Sequence, residues 1–80
     1  MRTKQGEMKR IGATIRALRE AHGWRLGKFA TAIEVSHSYL ANIEAGRKPL
    51  TPELARRVAD RLQVPLAAIT TEYTLEEIAG

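Results

Sequence analysis

The side chains able to carry out acid–base, nucleophilic or metal chemistry are few and scattered in this sequence. It has two histidines, His22 and His37, and no cysteine, which excludes a thiol nucleophile, a disulfide framework and a cysteine-ligated zinc site. Neither a phosphate-binding glycine loop nor a cluster at metal-ligand spacing occurs. We therefore expect a protein that is not an enzyme and has no cofactor and no metal site.

The basic side chains are more informative because of where they lie. Residues 1–62 hold all 13 Lys and Arg with six acids, a net +7, whereas residues 63–80 hold three acids and no base, a net −3. A basic body with an acidic tail favours a polyanionic partner for the body, although a plain solvated surface is the alternative.

Length and hydropathy limit the remaining possibilities. Eighty residues form one domain at most. The apolar stretches are far shorter than the roughly 20 residues that cross a bilayer, and no apolar segment follows the basic N-terminus as in a signal peptide. We expect a cytoplasmic protein with no membrane partner and no small-molecule ligand.

Apolar residues recur at helical spacing along most of the chain, which predicts an all-α fold. The predicted helices cover residues 8–22, 26–33, 37–45, 52–62 and 66–69. Ser36 and Thr51 are suitable N-caps, and Gly23 and Gly46 suit the positions just after helix ends. A flexible arm over residues 1–7 precedes these helices, and an acidic tail over residues 70–80 follows them as a strand or a helical turn.

The second and third predicted helices are separated by a short turn and together span about 20 residues, which is the helix-turn-helix arrangement. The DNA major groove, about 12 Å wide, admits one α-helix. In such a pair the second helix places its N-terminal residues at base edges while the first crosses the backbone.

The chain resembles the lambda-repressor/Cro class of helix-turn-helix proteins, the XRE family, over residues 8–69. The matching positions are Ile11–Arg19, Phe29-Ala30, Val35-Ser36, Tyr39-Leu40, Ile43-Glu44, Gly46-Arg47, Pro52-Glu53-Leu54 and Val64-Pro65-Leu66. The resemblance implies a compact five-helix domain that binds double-stranded DNA.

The resemblance also implies roles for particular side chains. His37, Ser38 and Asn42 match the positions that contact bases; His suits guanine and Asn pairs bidentately with adenine. The alternative for His37 and Ser38 is that they are solvent-exposed residues on the first turn of the helix and have no binding role. Phosphate contacts are implied for Tyr39, Arg47 and Lys48, an N-cap for Ser36, and a structural ion pair for Arg19 with Glu44. Where the family's phosphate-binding amide is missing from this sequence, we expect Arg25 and Lys28 to contact phosphates through their charge instead.

The sequence departs from the family at two positions. The second helix usually begins with Ser/Thr-Gln, whose amide binds a phosphate, but here Arg25-Leu26 stand there. The turn before the third helix usually carries Gly at positive φ, but here it is Glu34, at a cost of about 1–2 kcal/mol.

We predict a sequence-specific transcriptional regulator, a Cro-like or small immunity repressor that occludes a promoter as a homodimer on an inverted-repeat operator. Possible dimer contacts are Ile69, Tyr73, Leu75 and Ile78, unless the tail folds back on its own domain. The alternatives are an antitoxin of the same fold and a protein-interaction module without DNA, for which Leu26 and Glu34 are the best support.

Overall fold

Five α-helices in chain order make up the architecture. The computed structural model describes residues 3–79, except for the side chains of Glu72 and Ala79. The helices are α1 (Lys4–Ala21), α2 (Leu26–Ala32), α3 (His37–Glu44), α4 (Pro52–Leu62) and α5 (Glu72–Ala79), with a 3₁₀ turn (Leu66–Ala68) before α5. Residues 3–79 contain no β-strand, so the all-α prediction is confirmed.

The first helix starts earlier than the apolar pattern predicts, at Lys4 rather than Met8. The Thr3 hydroxyl accepts a hydrogen bond from the Gly6 amide at 2.9 Å, as an N-cap does. Gln5 Nε2 then donates to the Gly46 carbonyl at 2.8 Å, which holds this first turn against the loop after α3. The predicted flexible arm is therefore wrong for residues 3–7, while residues 1 and 2 lie outside the described residues.

The first four helices end in the same way, in a left-handed residue. These residues are Gly23 (φ 78°), Glu34 (φ 64°), Gly46 (φ 78°) and Gln63 (φ 55°). In each case the amide of the next residue donates to a carbonyl five positions back, the longer bond of the Schellman motif. This shared ending keeps the connections short, so that each helix turns directly onto the next.

The core forms where these helices cross. Its largest fully buried side chains include Phe29, Ile11, Ile15, Leu40, Ile43 and Leu62. The backbones of α1 and α3 approach each other closely at Gly12, where an added Cβ would lie 2.3 Å from the Ile43 carbonyl oxygen. Gly12 thus lets the two helix backbones touch.

The C-terminal tail forms the helix α5. Its sequence allowed either a strand or a helical turn, and the structure has the helix. The Thr71 hydroxyl caps the start of α5 by accepting a hydrogen bond from the Thr74 amide at 3.1 Å. Leu75 and Ile78 of α5 are 0% and 2% exposed, and Ile69 before it is 2% exposed.

These burial values correct the predicted dimer contacts. Ile69, Leu75 and Ile78 belong to the core of their own chain, since α5 packs against α1 and α4 and covers apolar surface there. Of the four candidates only Tyr73, 71% exposed, is available to another molecule.

Candidate nucleic-acid interface

The helix α3 presents two polar side chains on an exposed first turn. Ser36 caps the helix by accepting a hydrogen bond from the Tyr39 amide at 3.0 Å. His37 and Ser38 are exposed, whereas Leu40 is buried and the half-buried Tyr39 packs against the core. The apolar stripe of α3 thus faces the core and leaves the two predicted base-contacting side chains on the open face.

Asn42 is joined to the loop that follows α3. Its Oδ1 accepts from Arg47 Nε at 2.8 Å. Its backbone carbonyl accepts from the amides of Arg47 and Lys48, at 2.9 and 3.3 Å. Both loop cations are exposed and are held beside the last turn of α3. The Asn42 amide oxygen has two lone pairs, so it keeps one acceptor site and its amide donors for a further partner while Arg47 is bound.

The start of α2 lies next to the start of α3. A Cβ added at Gly27 would lie 3.6 Å from His37 Cδ2. Arg25 occupies the N-cap position of α2 with no side-chain capping bond, and both Arg25 and Lys28 are exposed. The predicted phosphate-contacting cations Arg25 and Lys28 thus flank the part of α2 that lies beside α3, and Arg47 and Lys48 follow the end of α3.

The turn between α2 and α3 is supported from α4. Glu34 adopts the left-handed conformation without being glycine, and its carboxylate lies 3.8 Å from Arg57 Nη1. Arg57 also donates to the Ile33 carbonyl, and Arg61 donates to the Ala32 carbonyl, both at 3.3 Å. Sequence reasoning missed this role, because charged residues on an amphipathic helix give no signal of the carbonyls they meet.

The predicted ion pair of Arg19 with Glu44 is present and connects three segments. Arg19 Nε and Nη2 donate to the two carboxylate oxygens of Glu44 at 2.7 and 3.0 Å. Its Nη1 donates to the Trp24 carbonyl at 2.7 Å. The hydrogen bond with Glu44 is the main cause that raises the pKa of Arg19. With 8% and 7% of their side chains exposed, the two residues tie α1 to α3 and to the corner before α2.

Family comparison agrees with this geometry. Residues 10–70, which contain the α2–turn–α3 unit, match the family model described as a helix-turn-helix domain. The chain belongs to the helix-turn-helix family. The sequence-based resemblance to this class is thereby confirmed.

Individual helix-turn-helix relatives are regulators rather than enzymes, as the sequence predicts. The chain is 34% identical over 59 residues to the transcriptional regulator ClgR of two Mycobacterium tuberculosis strains, covering 74% of this chain. It spans about half, 53%, of the length of these relatives.

Solved helix-turn-helix structures give the same result. A crystal structure of the clp gene regulator ClgR from Corynebacterium glutamicum has a TM-score of 0.73 and 34% identity, covering 92% of this chain and 88% of that one. A second one has a TM-score of 0.74 and 34% identity, with coverages of 92% and 73%.

A membrane-spanning helix and a metal-binding cluster are both absent from the described part of the chain. No helix there is both long enough and apolar enough to cross a membrane. Residues 3–79 also bring together no group of three or more His, Cys, Asp and Glu side chains suited to a metal ion.

Proposed function

We propose that this helix-turn-helix domain binds double-stranded DNA sequence-specifically and regulates transcription. The observation that carries the proposal is the exposed pair His37 and Ser38 on the first turn of α3, with exposed cations at the start of α2 and in the loop after α3. Likeness to transcriptional regulators at 34% identity supports the same function.

In this function α3 enters the major groove with its N-terminus leading. His37 donates to guanine N7 or O6, Ser38 bonds either base type, and Asn42 pairs with adenine. Arg47 Nε donates to Asn42 Oδ1 at 2.8 Å, which leaves the second lone pair of that oxygen for the base and the other guanidinium donors for a phosphate. The base contact and the loop contact with the backbone are therefore coupled.

The cations position the protein on the duplex without selecting its sequence. Arg25 and Lys28 are proposed to bind phosphates on one side of the groove, and Arg47 and Lys48 on the other. Tyr39 contributes its hydroxyl at the edge of the groove while its ring stays against the core.

We further infer that the protein binds as a homodimer on an inverted repeat with half-sites about one helical turn apart. Tyr73 is the proposed contact between the copies, since it is the exposed large hydrophobic residue of the described chain, at 71%. The proposed outcome is repression by promoter occlusion, in the cytoplasm.

Selection from random-sequence duplexes, followed by fluorescence anisotropy over a series of salt concentrations, tests this function. We expect a single enriched motif and a linear fall of log affinity with log salt, since binding releases counterions from phosphates. Absence of binding to any duplex at low salt would contradict the proposal and favour a protein-interaction module.

Paired variants separate the two classes of contact. His37→Ala is expected to relax selection at one base position, at a cost of about 1–3 kcal/mol, while Lys48→Ala weakens all duplexes alike and lowers the salt slope by about 1.

Sedimentation of the DNA complex tests the dimer: Tyr73→Glu is expected to convert two bound copies per operator into one.

A further inference from the structure

A surface depression lies where α1, α2 and α3 meet, beside the proposed DNA-binding face. Its volume is about 310 Å³, and it is lined by Arg16, Arg19, Leu26, Ala41, Glu44 and Ala45. None of the contacts proposed above uses Arg16, Ala41 or Ala45.

The depression borders the same face of α3 that carries His37. Ala41 lies one helical turn after His37, and Ala45 lies one further turn along the same stripe. Leu26, at the start of α2, forms the opposite apolar wall. Because α3 docks with its N-terminal turn at the base edges, we expect the backbone of the duplex to pass by the later positions of this stripe.

The charges of the depression leave one cation able to meet an anion. Arg19 and Glu44 neutralise each other and are nearly buried. Arg16 has 65% of its side chain exposed, and its distance to the Glu20 carboxylate, itself 55% exposed, is 3.4 Å. An exposed pair at i, i+4 contributes little to stability, so Arg16 readily exchanges Glu20 for a phosphate.

We propose that the depression binds one sugar–phosphate unit of the DNA backbone. Arg16 binds the phosphate, and Leu26, Ala41 and Ala45 contact the carbon atoms of the deoxyribose. The Leu26 side chain has no polar atom that could hold the phosphate, so the polar contact within the depression comes from Arg16 of α1. This inference rests on the proposed function.

The salt dependence of binding to the selected duplex tests the role of Arg16. Arg16→Gln is expected to lower the affinity about tenfold and the salt slope by about 0.9, as one lost phosphate contact does. Arg16→Lys keeps the slope. The matched control is Arg10→Gln, because Arg10 is also an exposed α1 cation but pairs with Glu7, beside α5.

Duplexes with single neutral methylphosphonate linkages locate the contact. One such linkage is expected to weaken the wild-type complex about tenfold and to leave the Arg16→Gln complex unchanged. Ala41→Leu, which fills the depression, is expected to weaken every duplex alike while the unfolding curve shows that the variant is folded.

The outcomes separate this inference from the function it depends on. An Arg16→Gln salt slope equal to that of wild type overturns the backbone site and leaves the proposed function standing. Wild-type protein that binds no duplex overturns both.

Discussion

Glu34 occupies a turn position whose left-handed backbone conformation is unfavourable for a residue with a Cβ. The helix-turn-helix turn needs a left-handed residue after α2, and Glu34 takes that conformation with φ 64° although it has a Cβ. The Glu34 carboxylate lies 3.8 Å from the Arg57 guanidinium, and the Glu34 side chain is 79% exposed. This exposed ion pair therefore stabilises the fold only slightly. The backbone strain at Glu34 therefore destabilises the connection between α2 and α3.

Glu34→Gly is therefore expected to raise the free energy of unfolding by about 1 kcal/mol, since glycine adopts positive φ without the steric cost of a Cβ. Urea unfolding followed by circular dichroism measures the change. The reverse substitution, Gly23→Ala, is a control: Gly23 has φ +78° and open space for a Cβ, so a loss of similar size is expected from strain alone. Equal stability of Glu34→Gly and wild type would show that the turn is not strained.

Between elements, the contact of α1 with α3 decides how the recognition helix is held. Gly12 allows a close backbone approach, and the ion pair of Arg19 with Glu44 joins the same two helices about two turns further along α1. Helices as short as α2 and α3 are not stable alone, so these contacts fix the position of His37 and Ser38.

Gly12→Ala is expected to lower the free energy of unfolding by about 3 kcal/mol, because its Cβ would lie 2.3 Å from a backbone oxygen that cannot move aside. Gly27→Ala is the matched control. It places a methyl group 3.6 Å from His37, an ordinary contact, and helix propensity predicts a gain of about 0.5–1 kcal/mol. Thermal unfolding of both variants checks the pair; equal effects at the two glycines would contradict the close crossing.

For the whole molecule, the acidic tail is part of the domain and not an appendage to it. The helix α5 packs against α1 and α4 and closes the core with Leu75 and Ile78. Glu76 and Glu77 remain exposed on α5, whereas the cations proposed to bind DNA belong to α1, α2 and the loop after α3.

Leu75→Ala is expected to lower the free energy of unfolding by about 2–5 kcal/mol, since it leaves a cavity in the only core of the described chain. Tyr73→Ala, at the neighbouring exposed position, is expected to change it by less than about 0.5 kcal/mol. Urea unfolding compares the two. A stability unchanged by Leu75→Ala, together with loss of self-association, would restore Leu75 as a dimer contact.

How far the sequence predicts the structure depends on the range of the interaction. The starts of α2, α3 and α4 are as predicted, because capping residues and apolar spacing act within a few positions of the chain. The first turn of α1 was missed because Thr3 and Gln5 precede any apolar pattern, and Gln5 is held by Gly46, 41 residues away. The prediction of Ile69, Leu75 and Ile78 as dimer contacts is wrong, because the spacing of apolar residues does not show whether a second copy or the same chain buries them.

By itself the sequence determined the helical class, the helix-turn-helix unit and its family, since helix periodicity, caps and motif spacing are local properties. It also determined the separation of charge, +7 over residues 1–62 and −3 over residues 63–80. Only the tertiary structure decided that α5 closes the core, that Arg57 and Arg61 support the α2 terminus, and that Arg16 lies at the edge of α3. These contacts join residues far apart in the chain, and the packing of whole helices sets them.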